Sequence, residues 1–337
     1  MLHIDGAVEA TAPDEGIAAH YGDPAREQRA MASGRVVIDR SNRGVVRVTG
    51  ADRLTWLHSL TSQDLERLAP GTTAQALILS PQGHLEHHLT LADTGTETWI
   101  HVEPGEAPAL VKYLDSMRFM MRVEVSDSTG DIGVLTLTGA QGEEIPEAVA
   151  VAEDPFGISV FVPRDQVETV AGRSEAAGIW AYEAARIAAH LPRPGTDTDH
   201  RTLPHEIGLI ETAVHLNKGC YRGQETVARI HNLGHPPRRL VFLNLDGSAD
   251  RLPAHGAPVT TPDGTEVGFA GSSARHYEDG PIGLALIKRS VPVDTALQAD
   301  GIAAAQEVIV APDAGANVKV APRKNFLPPP PASRKML

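Results

Sequence analysis

The sequence predicts an α+β fold that ends in a small β-barrel, and three observations lead there. From Gly34 to His190, short strands with β-branched and alternating apolar residues are interleaved with segments of helical period. Beyond Pro237 only short strands remain, at Leu240–Leu245, Val267–Ala270, Ile282–Ile287 and Val308–Val310, with Gly and Pro between them, which is the pattern of a small barrel or sandwich. A chain of 337 residues is also long for one core, so two or three packed units are expected.

Taken in order, residues 1–30 are polar and aperiodic and read as a flexible arm. Val36–Ile38 and Val45–Val48 read as strands. Asp52 opens a helix with Leu54, Leu57 and Leu60 on one face. A hairpin follows, with Ala76–Leu79 leading through Pro81-Gln82-Gly83 into Leu85–Leu91. Glu106–Met117 reads as a helix that buries Leu110, Leu114 and Met117. Strands are expected at Met121–Val125, Val134–Leu137 and Ile158–Val162. Helices fit Asp165–Ala177 and Ile179–His190, the second with Trp180, Ala184, Ile187 and Leu191 as its apolar stripe. The prolines of 192–204 mark a loop. The resulting division is an arm at 1–30, an α+β domain at 31–130, a second at 131–236, the barrel at 237–315 and a disordered tail at 316–337, where Pro328–Pro331 lie.

Composition limits the function classes. A net charge of −13 and a pI near 5.6 argue against nucleic-acid and anionic-membrane partners, which favour basic surfaces. No run approaches the ~18 apolar residues of a membrane span. Met1–Ala19 has four acids and no basic n-region, so a cytoplasmic location is expected. A single cysteine excludes an internal disulfide, and one thiolate does not hold zinc or an iron–sulfur cluster alone. No resident metal is expected, and any cluster contact would borrow ligands from another chain or a small thiol.

That cysteine sits in Asn217-Lys218-Gly219-Cys220-Tyr221-Arg222-Gly223-Gln224-Glu225. Gly219 and Gly223 permit a tight backbone ahead of a helix starting near Gly223. A helix N-terminus with Lys218 and Arg222 nearby favours the thiolate, the reactive form; the alternative is a small buried hydrophobe. Lys218-Gly219-Cys220-Tyr221, one residue, then Gly223-Gln224-Glu225 resembles the signature of the folate-binding YgfZ family, relatives of the glycine-cleavage T-protein. Leu203-Pro204-His205-Glu206, Gly50–Asp64 and Gly268–Arg289 resemble further family stretches, so the likeness spans residues 34–312. It implies a three-domain ring around a folate-sized hole, tetrahydrofolate as ligand, and a role in assembly or repair of iron–sulfur clusters in client enzymes. Cys220 would act on the cluster, a persulfide or a client thiol. Lys218, Tyr221, Arg222, Gln224 and Glu225 would lie at the folate site, while first-turn helix positions explain Gln224 and Glu225 equally well.

In the hairpin, alternation puts Leu85, His87, Leu89 and Leu91 on the inner face, and His84, Glu86, His88 and Thr90 on the other. The outer set has zinc-compatible chemistry but reads first as a solvated strand face. By resemblance to the T-protein, its catalytic aspartate falls on His87 and its pterin-binding glutamate on Ala188. His87 remains a candidate acid–base group. A folate carboxylate suits an arginine, and Arg186 on the helix Ile179–His190 is the candidate closest to the apolar stripe. The alternatives to a maturation factor are a folate-dependent aminomethyltransferase or demethylase, and a non-catalytic adaptor.

Overall fold

The computed structural model describes residues 1–315 and 317. Two five-stranded sheets and a closed barrel carry the chain. The first sheet is antiparallel, in the order Thr72–Leu79, Leu85–Asp93, Glu97–Val102, Gly44–Thr49, Glu124–Asp127. One face of it packs the helices Arg53–Leu60 and Ala107–Ser116, so that Leu57, Leu60, Leu89, Leu91, Ile100, Leu110 and Leu114 share one core. The second sheet runs Ala150–Asp154, Gly157–Pro163, Ile132–Thr138, Val36–Asp39, Glu175–Ala177. Its last pair is parallel. Val45, Ala92 and Trp99 of the first sheet meet Ile132, Val134, Ala150, Ala152 and Phe161 of the second.

The barrel closes in the order Arg238–Leu245, Gly280–Lys288, Glu266–His276, Pro258–Thr260, Leu297–Ala299, Ile302–Val308. Alternation gives its first strand two inner surfaces. Val241 and Leu243 fill the barrel, while Leu240 and Phe242 join Leu77, Leu79, Ile187, Ile207, Tyr221 and Val227 in a separate cluster outside it. That cluster ties hairpin, cysteine segment and barrel together.

Several expectations need correction. Residues 1–30 are not a free arm: Val8–Glu9 pairs with Ala18–His20, Pro24–Ser33 is a helix, and Ile17, Ala18 and Ala19 are buried. The buried triplet is too short to register as a periodicity. Val36–Asp39 lies in the second sheet, beside Ile132–Thr138, so a domain beginning at 31 and ending at 130 does not hold this strand. The chain crosses between sheets in the link 40–43. Asp165–Ala177 is not one helix. A helix Val167–Ala171 stops at Gly172, and Glu175–Ala177 takes the parallel edge position. On the helix Ile179–Ala188 the expected stripe holds at Ala184 and Ile187, both buried, but Trp180 is 51% exposed and Arg186 is buried in addition. The last barrel strand is Ile302–Val308 rather than Val308–Val310. The tail expected at 316–337 falls outside the described residues apart from 317. Among the described residues no helix is long and apolar enough to cross a membrane.

Candidate functional site

A cavity of about 310 Å³ lies where the two sheets, the helix Ile179–Ala188 and the following loop converge. Each wall follows from the chain path. The short link between sheets supplies Arg40, Asn42 and Arg43. Strand Leu85–Asp93 supplies His88 and Thr90, and the end of the neighbouring strand supplies His101 and Glu103. The helix adds Tyr182 and Glu183, the proline-rich loop adds Arg193, and the N-terminal segment adds Asp14.

Charge in this cavity is paired. Arg43 donates to Glu103 and, at 3.3 Å, to His101 Nδ1. Arg193 donates to Glu103 at 2.8 Å and binds Asp14 through both terminal nitrogens, at 2.7 and 2.8 Å. Burial pushes the Glu103 carboxyl up, but Arg43 and Arg193 outweigh it and hold the group at about 2. Arg40 donates to Asp154 at 3.0 Å and lies 4.3 Å from the Tyr182 ring centroid, and the Tyr182 hydroxyl donates to the same carboxylate. Burial, reinforced by Arg43, brings His88 down to about 4, and His101 is pushed well down by the same causes. Both imidazoles are therefore neutral near pH 7 and can accept as well as donate. Asn42 Oδ1 is buried without a hydrogen-bond partner, an acceptor that a polar ligand would satisfy.

None of the residues 215–225 lines this cavity. Lys218 is spent elsewhere: its ammonium donates to the carbonyls of His58, Thr61 (2.6 Å) and Gln63 (3.0 Å), where the helix Arg53–Leu60 ends. This corrects its assignment as a ligand contact. Tyr221 is buried in the inter-domain cluster, with the Lys218 ammonium 5.3 Å from its ring centroid. Arg222 forms a two-pronged pair with Glu86 of the hairpin, at 2.8 and 3.2 Å. Gln224 and the exposed Glu225 occupy the first turn of the helix Gln224–Leu233. Cys220 remains exposed, between Lys218 and Arg222, both fixed by their partners.

Gly223 locks this segment onto the hairpin. It has φ +83°, and a Cβ there would come within 2.6 Å of the Ser80 carbonyl oxygen. Gly83 of the turn is equally tight, with a Cβ falling 2.8 Å from Thr226 Cβ.

The histidines separate in an unexpected way. The face holding His84, Glu86, His88 and Thr90 is exposed at Glu86, but at His88 and Thr90 it is the cavity wall, and His88 Nε2 lies 3.0 Å from Gln75 Oε1. His87 points to the helix side, with Nδ1 3.2 Å from Glu106, and lines an adjoining recess instead. His88 rather than His87 is thus placed to meet a molecule in the central cavity. Among the described residues no three His, Cys, Asp or Glu converge as a metal site.

Arg186 also differs from expectation. Its five N–H donors go to Glu183 twice, Asp197, Ser272 and the Leu191 carbonyl, which leaves none for a ligand carboxylate. It is a structural tie between helix, loop and barrel.

Residues 18–158 match the GCVT N-terminal domain. The crystal structure of glycine cleavage system aminomethyltransferase T from Bartonella henselae shares the fold, with a TM-score of 0.76 over 91% of this chain and 94% of that chain at 18% identity. The chain has a GcvT-like fold. An aminomethyltransferase of Synechococcus (strain WH7803) is 26% identical over 275 residues, covering 66% of this chain and 71% of the relative. The mitochondrial iron–sulfur cluster assembly factor IBA57 homolog of Coccidioides immitis is 26% identical over 257 residues, covering 66% of this chain and 60% of the relative.

Within this GcvT-related fold, sequence reading missed Arg40, Arg43, His101, Glu103, Tyr182, Glu183 and Arg193. The available signals were the two arginines bracketing a four-residue link and the arginine inside a proline-rich loop. Neither pattern says what it faces until the two sheets are packed. Ala188 borders an outer groove with Ala185 and Phe156, away from the cavity, whose helix carboxylate is Glu183, more than a turn earlier.

Proposed function

We propose that this protein binds tetrahydrofolate in the central cavity and assists assembly or repair of iron–sulfur clusters in client enzymes through Cys220. The observation that carries this reading is the state of the cysteine segment. Lys218, Tyr221, Arg222 and Gly223 are each committed to holding the loop, while the Cys220 thiol among them is left exposed. A rigidly presented thiol outside the cavity suits contact with another macromolecule better than chemistry on a ligand inside. The similarity to relatives named as iron–sulfur cluster assembly factors supports the same direction.

The cavity residues fit a reduced pterin. Asn42 Oδ1 offers an unmet acceptor, His88 and His101 are neutral, and Tyr182, Arg40 and Arg43 supply polar edges around a volume within the ~300–1,000 Å³ range of small-ligand sites. When bound, the folate would supply a one-carbon carrier; the chain's own part is to orient it and exclude water. The cluster itself is cargo and belongs to the client, since one thiol is far short of a ligand set. The compartment in which this occurs is proposed to be the cytoplasm.

Two variants test the reading. Cys220→Ala should fold, keep its affinity for tetrahydrofolate in calorimetry, and fail to restore iron–sulfur enzyme activity in cells lacking the protein. Full restoration by the variant would remove the thiol from the function. No heat of tetrahydrofolate binding in either protein would remove the folate and favour an adaptor. The aminomethyltransferase reading has less support, because His87 faces Glu106 outside the cavity; turnover of an aminomethyl donor with tetrahydrofolate would revive it.

A further inference from the structure

The N-terminal segment contributes a single side chain to the cavity. Residues 11–13, 15 and 16 are exposed, whereas Asp14 between them is 7% exposed. The segment is anchored on both sides by buried residues, Ala10 and Ile17, joined by a hydrogen bond of 2.9 Å from the Ala10 amide to the Ile17 carbonyl. Residues 11–16 therefore form a strap held down at its middle by one carboxylate. That carboxylate grips both terminal nitrogens of Arg193 and accepts from the Asn42 amide at 2.9 Å.

The pair stands at a boundary. Asp14, Arg193, Glu183 and Ile179 line the central cavity and also a neighbouring pocket of about 460 Å³, which continues past Trp180 and His255 toward the barrel. The Asp14–Arg193 bridge thus partitions two spaces that would otherwise run together. Charge points to the exchangeable partner. Four guanidiniums (Arg40, Arg43, Arg186, Arg193) and five carboxylates (Asp14, Glu103, Glu153, Asp154, Glu183) line the central cavity. Glu153 is exposed and makes none of the ion pairs; of the four acids that do, Asp14 is the only one carried by an exposed loop rather than set in or directly beside a strand or helix of the main fold.

We propose that Asp14 is a built-in stand-in for a ligand carboxylate: an elongated ligand with a carboxylate end displaces it from Arg193, lifts the strap and joins the two spaces. This rests on the folate reading for the ligand's identity, since tetrahydrofolate has a flat head and a carboxylate-bearing tail. Exchange of one carboxylate for another keeps Arg193 paired throughout, so the buried guanidinium is never left uncompensated. A ligand without a carboxylate has no way to compete with Asp14.

The test uses the full-length chain and three probes: tetrahydrofolate, its tail alone as N-(4-aminobenzoyl)-L-glutamate, and its head alone as 6-methyltetrahydropterin. Asp14→Asn should tighten binding of the first two by about tenfold, the usual scale of one charge-assisted pair, and leave the third unchanged. In the wild type, saturating tail probe should speed hydrogen exchange at amides 11–16, a readout that needs no variant and survives if Asp14→Asn fails to fold. The proposal is overturned if Asp14→Asn leaves the tail-bearing probes unchanged or weaker, or tightens the head equally. Unaltered exchange at 11–16 in the saturated wild type overturns it as well. If tetrahydrofolate and the head bind neither protein, the folate reading fails by itself. The tail probe still decides the present claim, and its failure to bind either protein overturns it.

Discussion

Glu103 shows how a side chain is set by its neighbours. A carboxylate in this cavity is stable only because Arg43 and Arg193 both donate to it, and they hold it at about 2. The folded group thus sits below the ordinary unfolded value near 4.3, so its contribution to stability is complete above that value and is lost as pH falls toward 2. Glu103→Gln should destabilise the protein by roughly 3 kcal/mol at pH 7, and the gap to wild type in urea midpoint should narrow between pH 4.5 and pH 2. A constant gap across that range would mean that shape rather than charge is what Glu103 supplies. Lys218 makes the opposite case, a residue of a signature motif with a structural task. Lys218→Met should lose about 1–3 kcal/mol of stability, because the carbonyls ending the helix Arg53–Leu60 lose their donor. Its affinity for tetrahydrofolate should stay within about twofold of wild type, well under the tenfold expected from a lost contact. A tenfold loss of affinity with normal stability would return Lys218 to the ligand site.

At the scale of elements, the hairpin and the cysteine segment act as one unit. The turn at Gly83 and the helix start at Gly223 approach so closely that neither tolerates a Cβ, and both have a positive φ. Gly223→Ala should therefore cost about 2–4 kcal/mol, from backbone strain plus the displaced turn, and should raise hydrogen exchange at 80–84 together with 220–226. Exchange rising at 220–226 alone would show that the two elements are not coupled. These elements were also the most legible in the sequence. A turn of Pro-Gln-Gly between alternating runs specifies a hairpin, and a glycine ahead of polar first-turn residues specifies a helix start. Less legible were short pieces whose partner is remote in sequence. Glu175–Ala177 is three residues long and becomes a strand only because Val36–Ile38 offers an edge. The cavity was hidden for the same reason: Arg40, Glu103 and Arg193 are brought together by packing, with no spacing rule among them. The cysteine segment stood out because glycines and a lone thiol are concentrated in nine residues.

Across the whole molecule, two sheets, a helix and a barrel must keep a fixed relation for one cavity to exist, and Arg186 is the main polar tie. It joins its own helix through Glu183, the loop through Asp197 and the Leu191 carbonyl, and the barrel through Ser272. Asp197 extends the tie, accepting from the Ser272 amide at 2.6 Å, and a Cβ on Gly271 would lie 2.2 Å from its carboxylate oxygen. The barrel thus approaches the loop at a glycine and is fastened there by charge-assisted bonds. Arg186→Lys keeps the charge but loses the planar fork, and an ammonium with three donors cannot meet five acceptors spread over three elements. The variant should be destabilised by roughly 3–5 kcal/mol, the usual cost of breaking a buried ion pair. Because the loss falls on contacts between parts, the single calorimetric transition expected of wild type should split, with the barrel and the two-sheet body melting separately. Tetrahydrofolate affinity should fall with it, since Glu183 and the loop bearing Arg193 lose their common partner. One sharp transition at the wild-type temperature would show that the apolar cluster around Phe242 and Tyr221 holds the parts together without Arg186, and the tie would then serve only to place Glu183.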